Sequence, residues 1–247
     1  MRMVRILRIG NLALLTIICL SSAAALSAAP CAIGLYSAYT APGFTCELGG
    51  ATFSDFSFTS NTTIAPMASD FTVTPIVNPG QIGLRIDGPL TVFGQDPPGT
   101  GMGSVALGQL VSNARFLYTV TGETVDFTGA TLNVFGGDFF EPNPLSPSGY
   151  FAIKLIPVAP GFFLEVEDDT AQSDGVAFPT PLSLLFIDDT TQVIGGGPLA
   201  PGGVKGFGTI GGIENLFDIE EVAVPEPATW TLAAAGLALL AWVRRRR

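Results

Sequence analysis

Apolar and polar residues alternate along much of the chain, a pattern typical of β-strands with one buried face. Ile82, Leu84 and Ile86, for example, alternate with Gly83 and Arg85. Successive side chains of a strand point to opposite sides, so a period of two places the apolar set on a single face. By this pattern and by apolar content, strands are predicted at 51–59, 70–77, 82–86, 114–120, 124–135, 151–156, 162–166, 182–187 and 213–224.

The spacing of these strands indicates an all-β body. Turns rich in proline and glycine separate them, as at 95–99, and no stretch of the body carries a helical apolar stripe. Many short strands with few helices favour an antiparallel β-sandwich of Greek-key or jelly-roll type. We expect one such domain over 29–222, in which the glycine-rich stretch 195–212 forms loops around a short strand.

A second apolar pattern, without alternation, lies near the C-terminal end. Residues 230–243 carry no charge, and at 1.5 Å per residue a helix of that length spans about 21 Å. That is short for a hydrocarbon core of about 30 Å and would suit a buried core helix. However, Trp230 and Trp242 stand at its edges like interfacial anchors, and the arginines 244–247 follow, so a transmembrane helix with a cytoplasmic C-terminus is predicted.

The residues before this helix are held extended by two prolines. Pro225 and Pro227 flank Glu226, and proline fixes its own φ and restricts the residue before it. Such a stiff peptide beside a membrane suits capture by a processing enzyme. The predicted anchor comprises Trp230, Trp242, Arg244, Arg245, Arg246 and Arg247.

In this order, the Pro-Glu-Pro segment, the apolar helix and the arginine cluster of 224–247 resemble the PEP-CTERM sorting signal of Gram-negative bacteria. The resemblance implies that a membrane enzyme, the exosortase, recognises the signal and removes the helix. It also implies an association with exopolysaccharide, biofilm and the cell surface. A tail that is never cut, leaving a permanently tethered periplasmic protein, is the alternative.

The N-terminal residues have the features of a signal peptide. Arg2, Arg5 and Arg8 precede an apolar run and a small-residue stretch that offers cleavage after Ala25 or Ala28. We therefore expect residues 1–28 to direct export through the Sec machinery and to be cut by signal peptidase, with a retained signal anchor as the alternative. The chain would be held transiently at the inner membrane with its body in the periplasm, then reach the cell surface or the medium.

Charge is distributed unevenly between these end segments and the body. The chain has 11 basic and 21 acidic side chains, and seven of its arginines lie in the two end segments. One acid, Glu226, also lies in an end segment, so the body has four basic against 20 acidic side chains, a formal charge of four minus 20, or −16. A field of that sign excludes nucleic acid as a partner.

Export also determines how the cysteines are interpreted. Cys19 lies in the signal peptide, which leaves Cys31 and Cys46 in an oxidising compartment. A disulfide between these two is predicted.

Residue content excludes most catalytic machinery, so no catalytic residue and no cofactor are assigned. The chain has no histidine, which removes histidine-based triads and histidine-bound zinc sites. Neither of the two lysines, Lys154 and Lys205, follows a serine by three residues. Glu165 and Glu167 lie on one strand face at about the carboxylate separation of inverting glycosidases, but a solvated strand face is the simpler interpretation.

One metal site is open to consideration. Carboxylates near residues 165–174 could supply oxygen ligands to a structural calcium ion, with Asp188 and Asp189 as spatial neighbours. The alternative is a solvated acidic turn, since the EF-hand order of ligands is missing. The candidate ligands are Glu165, Glu167, Asp168, Asp169 and Asp174.

Two classes of function follow for the body. The first is a non-enzymatic surface or extracellular-matrix protein. The second is a carbohydrate-binding module or a polysaccharide-acting enzyme on the same fold. Sugar platforms favour tryptophan, which the body lacks, so the first class is preferred.

Overall fold

The computed structural model of the protein describes residues 28–60, 65–94, 110–141, 145, 146, 148–158, 161–167, 172–198 and 203–222. Thirteen strands fall in these ranges. They are β1 (Gly34–Leu35), β2 (Cys46–Leu48), β3 (Ala51–Thr59), β4 (Thr72–Asn78), β5 (Gln81–Phe93), β6 (Leu110–Gly122), β7 (Val125–Phe135), β8 (Asp138–Phe140), β9 (Gly149–Ile156), β10 (Phe162–Glu167), β11 (Ser173–Leu182), β12 (Leu184–Gly195) and β13 (Phe207–Glu221). A single-turn helix α1 (Tyr36–Tyr39) and a 3₁₀ turn (Ala68–Asp70) complete the described elements.

The strands form two antiparallel sheets, as the alternation predicts. One sheet has the order β1-β4-β5-β13-β7-β11, with β8 added beside β13, and the other has the order β10-β9-β12-β6-β3-β2. Four pairs nest inside one another along the chain: β9 with β10, β7 with β11, β6 with β12, and β5 with β13. Successive pairs belong to alternate sheets, so the chain forms one long hairpin rolled across both sheets, which is the jelly-roll arrangement.

Aromatic side chains fill the space between the sheets at one end of the sandwich. Tyr36 of α1 is fully buried and lies with its ring centroid 5.0 Å from that of Phe116 and 6.0 Å from that of Phe56. Its hydroxyl donates to the carbonyl of Ser57 at 3.2 Å, so the polar tip of this buried ring is satisfied. The short helix therefore closes the end of the core.

Glycine in the stretch 195–212 has a different role from the loops that the sequence suggests. Gly195 ends β12, and residues 207–212 begin β13, the longest strand. A Cβ atom on Gly208 would lie 2.3 Å from the carbonyl oxygen of Gly149, and one on Gly196 would lie 2.0 Å from that of Ser146. The loop prediction is wrong for 207–212, because these residues begin a central strand in which glycine lets the neighbouring backbone approach closely.

The sequence pattern also missed strand β11 and the second half of β12. Pro179 and Pro181 interrupt β11, which is tolerated because β11 is the last strand of its sheet and pairs only with β7. Strand β12 continues to Gly195 through Asp188 and Asp189, although two adjacent carboxylates are rare in a strand.

The predicted disulfide is present. Cys31 and Cys46 are bonded, and their Cα atoms lie 4.8 Å apart. The bond joins the segment before β1 to the start of β2, an edge strand of the six-stranded sheet. It therefore ties the first residues of the body to the sandwich.

Replacing both bonded cysteines, in the variant Cys31→Ser/Cys46→Ser, should lower the free energy of unfolding by about 3 kcal/mol, because the unfolded chain regains the entropy of a 15-residue loop. Urea denaturation of the exported protein measures the change. Reductant should destabilise the wild-type protein equally and leave the double variant unaffected. Equal stability of the variant and the oxidised wild type would contradict a stabilising role.

Candidate functional site

The residues predicted to direct sorting lie outside the described part of the chain. These are the motif residues Pro225, Glu226 and Pro227 and the anchor residues Trp230, Trp242 and 244–247. Residues 1–27 of the predicted signal peptide lie outside it as well. Among the described residues, no helix is both long enough and apolar enough to cross a membrane. The anchor and the signal peptide therefore stay predictions.

The calcium prediction also stays untested, because Asp168 and Asp169 lie outside the described residues. The Asp174 carboxylate accepts hydrogen bonds from the backbone N–H groups of Glu165, at 3.0 Å, and Gly175, at 2.8 Å. Within the described ranges, no three acidic or cysteine side chains come together in a way that would hold a metal ion.

Asp188 and Asp189 point to opposite faces of their sheet. Asp188 points outward and forms a bidentate ion pair with Arg115, with nitrogen-to-oxygen distances of 2.7 and 2.6 Å. Asp189 points into the sandwich and is fully buried. The suggested proximity of Asp188 to the calcium candidates stays a prediction, because Asp168 and Asp169 lie outside the described residues, whereas Asp189 belongs to the core.

Three phenylalanines form a row on the outer face of the seven-stranded sheet. Phe207 of β13 is the register partner of Phe93 on β5 and of Phe140 on β8. Its ring centroid lies 5.7 Å from that of Phe93 and 6.3 Å from that of Phe140. Phe93 is 59% exposed and Phe140 46%. We call these three residues the aromatic row, an outward-facing apolar surface that spans three strands.

The most unusual chemistry lies inside the sandwich, where three polar side chains are fully buried. Lys154, Asp189 and Asn215 each have 0% exposure. Lys154 and Asp189 are register partners on the neighbouring strands β9 and β12, and Asn215 projects from β13 of the opposite sheet. Charged groups are rarely buried in full unless they are paired. We refer to these three residues as the buried cluster.

Hydrogen bonds in the buried cluster run between the two sheets. The Asn215 Nδ2 atom donates to Asp189 Oδ2 at 2.7 Å. Lys154 Nζ donates to the backbone carbonyl of Thr131 at 3.2 Å and lies 4.5 Å from the centroid of the Phe217 ring. Both Thr131 and Phe217 belong to the seven-stranded sheet, so the lysine side chain crosses the interior.

Several polar atoms at this site lack a hydrogen-bond partner. They are Oδ1 of Asp189, Oδ1 of Asn215 and the hydroxyl of Tyr118, which is buried beside Asp189. A buried polar atom without a partner costs about 1–3 kcal/mol. The cluster therefore lowers the stability of the core, and its presence calls for a chemical explanation.

Burial brings the proton affinities of the two charged groups close together. Desolvation raises the pKa of Asp189 to about 7, against the opposing effects of Lys154 and Asn215. Desolvation also lowers the pKa of Lys154 to about 8, which the charge of Asp189 partly offsets. Burial therefore favours the neutral form of both groups.

The sequence contains a signal for this cluster that strand prediction did not use. Lys154 shares its strand face with Ala152 and Ile156, and Asp189 shares one with Ile187. Asn215 likewise falls in the inward phase of β13, two residues before Phe217. A polar residue in the inward phase of an apolar strand indicates a buried polar group.

The raised pKa of Asp189 predicts how stability depends on pH. Between pH 4 and pH 7 the folded protein keeps a proton on Asp189 that the unfolded chain releases, so the free energy of unfolding falls as pH rises. In Asp189→Asn this contribution is absent, and the stability of the wild type relative to the variant should decline across that window. Urea denaturation at a series of pH values measures the difference.

Asp188→Asn, a substitution of the outward-facing neighbour, is the matched control and should keep the decline. A constant difference between the wild type and Asp189→Asn from pH 4 to pH 7 would contradict the assignment.

Comparison with known proteins identifies the C-terminal segment. Residues 223–247 match the family model of the PEP-CTERM protein-sorting motif. No curated protein gives a significant match to the chain. The resemblance seen in the tail is thereby confirmed over 25 of the 247 residues, from 223 to 247. The chain thus carries the PEP-CTERM sorting motif, which implies export, processing by an exosortase and sorting to the cell envelope.

Proposed function

We propose that the chain is the precursor of a non-enzymatic surface or extracellular-matrix protein that is displayed or released among exopolysaccharide. Sec and signal peptidase export the body, the tail holds it at the inner membrane, and exosortase separates the two. The observation that carries the proposal is the sorting motif at 223–247, which begins two residues after β13 ends at Glu221. The sandwich is therefore the part that sorting delivers.

The physical character of the body supports a structural role. Its two sheets enclose one continuous core, and the disulfide fastens its first residues. The buried cluster contains an amine and a carboxyl group that could react, but at 0% exposure they are not accessible to a substrate from solution. A strongly acidic, closed and cross-linked body suits persistence outside the cell.

Processing of the tail is tested on the full chain expressed in its exosortase-containing host. The mature protein should have the mass of a chain cut near Pro225–Pro227, without the arginines 244–247, because exosortase removes the helix. Replacing Pro225, Glu226 and Pro227 by alanine should abolish the cut and leave the protein in the membrane fraction. Intact-mass measurement distinguishes the forms.

The same triple substitution in a host that lacks exosortase is the control, and there it should change nothing. Recovery of wild-type protein that ends at Arg247 from the exosortase-containing host would contradict processing and favour a permanently tethered periplasmic protein.

A second candidate function is carbohydrate binding, and the aromatic row favours it. Sugars stack their apolar faces on exposed rings, and the row places three rings side by side on one face of the sheet. Thr91 and Thr209 lie two register pairs away, on the same face, and their hydroxyls are hydrogen-bonded to each other at 2.7 Å. Rings beside hydroxyl groups are the combination that a polysaccharide-binding surface requires.

The aromatic row is tested by the variant Phe93→Ala/Phe140→Ala. If the row binds sugar, the double substitution should weaken retardation in gels containing the host exopolysaccharide at least tenfold, or about 1.4 kcal/mol. Phe163→Ala, which removes a 56% exposed ring from the other sheet, is the control and should keep the wild-type mobility. Unretarded wild-type protein would exclude this second function and leave the first intact.

A further inference from the structure

The buried cluster has hydrogen-bond donors and acceptors that do not meet. Among the described residues, the Lys154 ammonium, which has three N–H donors, reaches one acceptor, the carbonyl of Thr131. The oxygens of Asp189 and Asn215 that lack partners are acceptors in the same interior. An ordinary structural network of buried polar groups would satisfy them. This arrangement suggests groups that are positioned to react.

Strand geometry brings the lysine amine towards Asn215. The amine lies over the ring of Phe217, which is two residues from Asn215 on the same inward face of β13. It also bonds to Thr131, whose register partner on β13 is Leu216, the residue next to Asn215. Side chains two apart on a strand are about 7 Å from each other, a distance that rotation of the flexible lysine stem covers.

Asp189 is bonded to the carboxamide, and its strand neighbours the strand that carries the lysine. It is the register partner of Lys154 in one sheet, and its carboxylate is bonded to the Asn215 side chain of the other sheet at 2.7 Å. It is therefore placed to move protons between an amine and an amide. No other carboxylate among the described residues is fully buried.

We propose that Lys154 and Asn215 join in an intramolecular isopeptide bond between the two sheets, with Asp189 as the catalytic residue that transfers the protons. The bond forms without a cofactor or an external reactant. It makes the buried cluster a self-modification site and not a substrate-binding site.

The reaction is an amide exchange that balances within the cluster. Lys154 first gives a proton to the Asp189 carboxylate, which leaves a neutral amine and a neutral acid. The Nζ lone pair attacks Cγ of Asn215, and the acid protonates Nδ2, the atom that is bonded to Asp189. The Asp189 carboxylate then takes a proton from Nζ. As the Oδ1 anion re-forms the carbonyl, the Cγ–Nδ2 bond breaks, the Nζ–Cγ bond remains, one ammonia leaves and Asp189 stays protonated.

The surroundings favour each step. The closed interior excludes water that would compete for Cγ, and desolvation increases the neutral fraction of the amine. Holding both groups in one folded chain replaces a bimolecular encounter by an intramolecular one, which corresponds to effective molarities up to about 10⁵–10⁸ M. The product has a neutral amide where the unreacted chain has a buried charge.

Peptide mapping of the full chain, purified from exporting cells, tests the bond. Trypsin combined with a glutamate-specific protease frees the hexapeptide Asn215–Glu220 from an unlinked chain and cuts after Lys154. In the wild-type protein we expect Asn215–Glu220 attached to a peptide with an uncleaved Lys154. The pair should be lighter by one ammonia, about 17 Da, than the sum of its parts.

Variants separate the chemistry from simple burial. Asp189→Ala, Asn215→Ala and Lys154→Met should each lose the linked pair. Lys205→Arg, which changes the other lysine of the chain, should keep it. Wild-type protein with an intact Cys31–Cys46 disulfide that yields free Asn215–Glu220 with its amide, and normal cleavage after Lys154, would overturn the proposal. The wild-type measurement decides even if a variant fails to fold.

Discussion

The structure depends on the pairing of segments that are far apart in the chain. Strand β13 lies between β5 and β7, and β12 lies between β6 and β9, so the last two strands occupy the middle of both sheets. Neither sheet is continuous until they arrive. The apolar core between the sheets can therefore close only after β12 and β13, which begin at Leu184, have paired with earlier strands. Long-range pairing of this kind is slow to form. This constraint would suit the predicted export through the Sec machinery, because premature closure of the sandwich is disfavoured.

Features for which the local sequence pattern agrees with the tertiary environment could be predicted from the sequence. Strand β3 coincides with the predicted 51–59, because its apolar positions keep strict phase until the bulge near Asp55. The cysteine pair followed from compartment and number. The tail could be recognised because its proline, apolar and arginine features occur in a fixed order. In each case the prediction depends only on neighbouring residues or on residue content.

The other features could not be predicted from the sequence, because tertiary contacts override the local conformational preference of their residues. The glycines of the stretch 195–212 predict a loop when only the sequence is considered, because the backbone that approaches them comes from distant strands. The prolines of β11 argue against a strand until its place at a sheet edge is known. The buried cluster is the clearest case: the inward phase of Lys154, Asp189 and Asn215 indicates burial of each, but only the stacking of the two sheets brings the three together. Their candidate role therefore depends on topology and not on any motif.

The position of β13 also determines how the body would respond to a mechanical load. Its last residue, Glu221, lies two residues before the sorting motif, so a pull on the tail is applied along the strand axis. The strand is hydrogen-bonded to β5 on one side and to β8 and β7 on the other. Force applied in that direction shears many hydrogen bonds at once and does not peel them one by one. A body attached through a central strand is thus suited to remain folded while it is held or dragged at a surface.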